Sequence, residues 1–187
     1  MNAAKFNAQI EETLGRLLNS AGFSASGRDY VREERDSQLV LLRFGGSKFA
    51  NACQFVRFVL GFRHTFLRDV WEKVPEGLPG QISDYPFRIC PSELRSEAWR
   101  RWMYKFELNA RYDEVEYGRL DDATQLLTRM GETITTSGIE WSRQFTPSRS
   151  LEMLQHQPQR AFVERLWIED YRARLGPPSA EDAGGPM

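Results

Sequence analysis

Two apolar runs on either side of a glycine pair constrain this chain more than any other feature. Leu39-Val40-Leu41-Leu42 and residues 55–62 flank Gly45-Gly46-Ser47-Lys48. Each run is too short, and too rich in β-branched and aromatic side chains, for a comfortable helix. The glycines between them supply a turn, so residues 38–62 are predicted to form an antiparallel strand pair. If even-numbered positions keep together across the pair, Val40, Leu42, Phe44, Val56, Phe58 and Leu60 share one sheet face. The other face then carries Leu39, Leu41, Arg43, Cys53, Phe55, Arg57 and Val59. That second face is too apolar to lie bare in water, and it holds two arginines. It is either covered core or a recognition surface, because arginine beside aromatics is the composition of interface hot spots.

Helical spacing brackets this centre. Phe6, Ile10, Leu14, Leu17 and Leu18 recur on one face of an N-terminal helix that Gly22 can cap. Asp29 to Glu33 predicts a further strand, joined to the next by the charged turn Glu34-Arg35-Asp36. Residues 64–74 are predicted as a short helix, and the proline-containing stretch 75–91 as a surface loop. In residues 99–108 strict alternation competes with a spacing of four, and the aromatic content favours a strand. Leu120, Ala123, Leu127, Met130 and Ile134 share a helix face, with Gly138 as its end. Thr146-Pro147 reads as an N-cap followed by proline at the first helical position. A last helix begins near Pro158 and stops at Gly176. The expectation is an α+β fold: an antiparallel sheet of about four or five strands with helices packed against it, in one domain over residues 1–176. Residues 177–187 are small and polar and read as a disordered tail.

Several of these features line up in order: Ala21-Gly22-Phe23 at a helix end, the strand from Arg28 to Glu33, an apolar strand running into residues 42–51, and Val59-Leu60-Gly61-Phe62. Residues 138–154 then give a helix end, an aromatic pair and a short helix. Over Phe6 to Leu154 this order resembles the bacterial family known as domain of unknown function 4304. Trp99-Arg100-Arg101-Trp102 stands where that family has a strand with paired tryptophans, and residues 160–175 extend beyond the family's usual end. The resemblance implies an α+β fold and brings no catalytic residues with it.

The chemistry-bearing residues are sparse. A net charge of −1 over 187 residues disfavours a dedicated nucleic-acid binder, since phosphate neutralisation supplies most of such a protein's affinity. That reading would need Arg95, Arg100 and Arg101 on one face, with Trp99 or Trp102 exposed for stacking. No stretch reaches the ~20 apolar residues that span a bilayer. Cys53 and Cys90 give no disulfide framework, so a reducing cytoplasm is the simplest setting. Cys90, beside Pro91, reads as the more exposed of the two. Neither His64 nor His156 has a ligand at metal spacing, so no metal and no cofactor is expected. Gly45-Gly46-Ser47-Lys48 lacks the loop and following helix of a phosphate cradle. The acidic residues Asp113, Glu114, Glu116, Asp121 and Asp122 read most simply as a solvated link and helix start.

The leading expectation is a non-enzymatic cytoplasmic binding protein, of which an immunity- or antitoxin-like protein that masks a protein partner is one concrete form. Arg43, Arg57, Phe55, Trp99, Arg101 and Trp102 are the candidate binding residues, and no catalytic residue is assigned. A small-molecule ligand is the second kind of partner. The competing class is a small enzyme or ligand-binding protein whose site is assembled from distant acids and arginines, such as Glu114 or Asp121 with Arg57 or Arg101.

Overall fold

The computed structural model describes residues 1–48, 53–69, 84–95, 114–156 and 162–176. The first helix, α1, runs through Ala3–Gln9, a π-helical stretch Ile10–Gly15, and Arg16–Ser20. Asn2 caps it by accepting the Lys5 N–H at 2.9 Å, which satisfies one of the orphan donors of the first turn. Gly22, at φ 85°, ends it in the left-handed conformation that glycine adopts without a Cβ penalty.

An antiparallel sheet follows. Its strands are β1 (Ser24–Ser26), β2 (Asp29–Glu34), β3 (Ser37–Lys48), β4 (Cys53–His64), β5 (Phe87–Ile89) and β6 (Glu114–Val115). The order is β1-β2-β3-β4-β5, and β6 also pairs with β4. Since β5 lies against Leu60–Phe62 and β6 against Val56–Arg57, the two short strands share the outer edge of β4 end to end. Three more α-helices follow among the described residues, besides short 3-10 helices at Pro91–Leu94 and Tyr117–Arg119. The second, α2, runs through Thr124–Thr133, a π-helical stretch Ile134–Gly138, and Ile139–Arg143; α3 is Pro147–Gln155 and α4 is Phe162–Leu175. The architecture is α+β, as the alternation and helical spacing predict.

The register of β3 against β4 corrects the expected parity. Leu41 stands opposite Leu60, Arg43 opposite Phe58 and Phe44 opposite Arg57, so odd positions of β3 share a face with even positions of β4. The pairing runs through Gly45, Gly46, Ser47 and Lys48, which lie inside β3 rather than in a turn. The glycines therefore do not make the connection between the two strands. One face then carries Tyr30, Leu39, Leu41, Val56, Phe58, Leu60, Phe62, Phe87 and Val115, all in one core with residues of the four helices. Val40, Leu42, Val59 and Tyr85 make a smaller buried cluster on the opposite face. The alternating side chains of a strand make this a binary choice, and one residue of slip would exchange the two faces.

Other expectations change for local reasons. His64 is the last residue of β4 and residues 65–69 are not helical, while residues 70–74 lie outside the described residues. The predicted loop contains β5, because Phe87 and Ile89 complete the core edge along β4. Gly138 does not end α2. A Cβ there would stand 2.9 Å from Leu60 Cδ2, so this glycine permits close helix–sheet approach. Cys90 is buried, and its N–H donates to Glu93 at 2.7 Å. Thr146 does cap α3, with Pro147 at its first position. The stretch 99–108 and the tail 177–187 lie outside the described residues.

The sheet also depends on a close approach at Gly61, where a Cβ would lie 2.7 Å from Tyr85 Cγ and 3.1 Å from Tyr85 Cβ. A ring anchored that near the backbone has little room to retreat. Gly61→Ala is expected to lower stability by about 1–3 kcal/mol, the usual cost of overpacking. In a Tyr85→Ala background the same substitution should cost little, and urea unfolding of the four proteins of the cycle checks this.

Candidate functional site

At the end of the sheet remote from His64, helix α1 and strands β3 and β4 enclose a recess of about 190 Å³ lined by Asn7, Arg28, Arg43, Gly45, Phe55, Val56 and Tyr117. Each wall follows from a local cause. Asn7 stands one helical turn before Glu11 on α1. Arg28 sits in the β1–β2 turn beside Gly27, whose φ of 60° turns the chain. Gly45 presents no side chain opposite Val56, which leaves the recess open at that point. Tyr117 stacks on Phe6 with ring centroids 4.7 Å apart.

Behind this wall lies a polar network. Arg43 donates its backbone N–H to Asp29 Oδ1 at 2.8 Å, and its Nη1 lies 3.5 Å from Glu11 Oε1. The other oxygen of Glu11 accepts the Tyr30 hydroxyl at 2.6 Å. Gly15 makes this last contact possible, since a Cβ there would stand 2.7 Å from the Tyr30 oxygen. Burial raises the Asp29 carboxyl above its usual range, partly offset by its hydrogen bond to Arg43 and by the nearby guanidiniums of Arg43 and Arg28. Burial, and then the bond to Glu11, hold the Tyr30 phenol protonated well above the ordinary tyrosine range.

The candidate residues divide. Arg43 and Phe55 both line the recess, although their strands place them on opposite faces. Arg57 is separated from Arg43 by the same register and stands opposite Glu114 in the β4–β6 pairing. Trp99, Arg101 and Trp102 lie outside the described residues. Of the acidic residues, Asp113 lies outside the described residues, Glu116 pairs with Arg119 at 3.2 Å, and Asp122 accepts from Thr124 and Gln9. Among the described residues no group of acids, histidines or cysteines could hold a metal ion. Asn7, Arg28 and Tyr117 escaped sequence reasoning. Only Arg28, beside a turn glycine, carried any signal there.

His64 occupies a different environment at the other end of β4. It is buried at 4% exposure, with Nδ1 and the Tyr171 hydroxyl hydrogen-bonded at 2.8 Å. Phe62 and Phe66 lie against its ring at 5.2 and 5.1 Å between centroids. The bond ties α4 to the sheet, assisted by the exposed pairing of Arg68 with Asp170. His64 is therefore a structural group. His156 is exposed, with Nδ1 at 2.8 Å from the Glu152 carbonyl oxygen.

No family model, curated protein or solved structure matches this chain. No helix among the described residues is long and apolar enough to cross a membrane.

Burial lowers the His64 imidazole from 6.5 to about 4, against the opposing pull of the Phe145 backbone and the Asp36 carboxylate. The unfolded chain then binds the proton more readily between those values. The stabilisation is complete above pH 6.5 and is lost as pH falls towards 4, an effect of roughly 3 kcal/mol at most. His64→Phe should flatten this part of the stability profile relative to the unsubstituted protein. Urea midpoints at pH 7, 5.5 and 4 for both proteins measure it.

Proposed function

We propose that this protein acts by binding, masking an acidic surface of a partner protein with the arginine and aromatic groups around its recess. The reading is that of a cytoplasmic, immunity- or antitoxin-like protein. The observation that supports it is the gathering of Arg28, Arg43, Phe55 and Tyr117 at one recess from four separate parts of the chain. Arginine and tyrosine are the residue types that carry binding energy at protein interfaces, because each couples a large apolar body to directional hydrogen bonding. Trp99, Arg101 and Trp102 belong to the same proposal as further contact residues. Membership of the domain of unknown function 4304 family is part of it as well, on the order of helices and strands.

A second reading has one observation in its favour. Glu114 stands opposite Arg57 in the sheet register, an acid and an arginine far apart in sequence brought to neighbouring positions. A small enzyme or ligand-binding protein would build its site from such a pair. The recess does not include it, and the binding reading uses the residues that do converge.

Affinity purification of the tagged protein from its native host, followed by mass spectrometry, tests the proposal. A single stoichiometric protein partner is expected. Arg28→Glu should weaken its capture by about 30-fold, the size of a hot-spot loss, while Arg57→Glu should leave it largely intact. Absence of any stoichiometric partner would reject the masking function.

A further inference from the structure

We propose that the recess between α1, β3 and β4 is an oxyanion site, which takes a carboxylate or phosphoryl group on Arg28 and Arg43. The inference rests on reading this recess as the binding site, and it names the chemistry recognised there. It does not require that the ligand be part of a protein.

The charge of the wall carries the argument. Among the described residues that line the recess, the charged ones are both arginines, and the remaining groups are neutral. The two acids of the network, Glu11 and Asp29, are not among those lining residues. They hold Arg43 from behind, Asp29 through the backbone N–H and Glu11 through one Nη at 3.5 Å. That ion pair is long, and its carboxylate side chain is 55% exposed while the Arg43 side chain is 12% exposed. A long pair with a half-exposed carboxylate is weak, because water screens it. Glu11 is at the same time engaged by the Tyr30 hydroxyl at 2.6 Å. A guanidinium has five N–H donors in a fixed planar fork, suited to bidentate contact with two oxygens. One long contact to Glu11 leaves most of the Arg43 fork for a ligand in the recess.

The rest of the cavity suits the same ligand. Val56 and Tyr117 are buried side chains on its wall, and a charge-assisted hydrogen bond made beside groups withheld from water is stronger than one in bulk solvent. Asn7 adds an amide that can donate to an oxygen. Gly45 lacks the side chain that would fill the opening, and a Cβ there would meet only the Phe55 carbonyl oxygen at 3.9 Å. The volume of about 190 Å³ is that of roughly six water molecules at about 30 Å³ each, room for phosphate or a short dicarboxylate.

The test is an NMR titration of the isotopically labelled protein with sodium phosphate and, separately, sodium succinate, at constant ionic strength maintained with sodium chloride. Saturable amide shifts centred on Asn7, Gly45 and Tyr117 are expected with at least one of the two. The affinity should fall at least 10-fold in Arg28→Gln, whose exposed side chain can change without disturbing the core, and in Arg43→Gln. Arg149→Gln, on the exposed side of α3, controls for general anion attraction and should bind as the unsubstituted protein does. The anion that saturates distinguishes a phosphoryl from a carboxylate ligand. Shifts that stay linear with both anions, or that are equal in Arg28→Gln and the unsubstituted protein, would overturn the proposal. Saturable binding without a captured protein partner would leave the oxyanion site standing and reject masking. Arg28-sensitive capture of a partner, with neither anion saturating, would do the reverse.

Discussion

The pairing of β3 with β4 is the constraint on which the rest of this structure depends. Each strand has 12 residues, and they pair from Ser37 and His64 at one end to Lys48 and Cys53 at the other. Every other described strand is added to this pair, β2 and β1 beyond β3, and β5 and β6 along the outer edge of β4. Because side chains alternate strictly along a strand, the register settles which of them enter the helix-covered core. Leu39 and Leu41 join Phe58, Leu60 and Phe62 there, while Val40, Leu42 and Val59 form the smaller cluster opposite.

The helices meet this sheet by close approach as well as by apolar burial. Gly131 of α2 accommodates Leu17 of α1, and Gly138 accommodates Leu60 of β4. At Gly15 the space goes to the Tyr30 hydroxyl, which reaches Glu11 across the helix–strand junction. That contact connects packing to the candidate site, since Glu11 is also the acid behind Arg43. The opposite end of β4 is organised differently. There His64 is enclosed by aromatic rings and bonded to Tyr171, so one strand has a polar recess near one end and a dry polar contact at the other.

The separation of Arg43 from Arg57 changes how a recognition surface can be drawn on this fold. A shared face would have offered two arginines in a flat apolar field. The observed register instead places Arg43 at the edge of the helix-covered face, where Arg28 and Asn7 can meet it, and Arg57 opposite Glu114. A cationic wall backed by acids is a more selective arrangement than an exposed patch. Asp29 fixes the Arg43 backbone and Glu11 touches one corner of its guanidinium, while the recess itself holds no negative group among the described lining residues.

Local sequence determined the elements whose causes are local. The helix faces of α1 and α2 follow from apolar spacing, the start of α3 from Thr146-Pro147, and the end of α1 from Gly22. The central strand pair follows from two short apolar runs, the second rich in valine and phenylalanine. Tertiary structure alone decided what depends on a single residue of register or on contact between distant segments. Gly45-Gly46 and Gly138 look like a turn and a helix end, yet both continue their elements, because partners absent from the local sequence hold them there. The recess joins residues as far apart as Asn7 and Tyr117, and no spacing rule connects them. Periodicity reports which side chains avoid water, whereas convergence of polar groups depends on how the strands are paired and how closely the helices approach them.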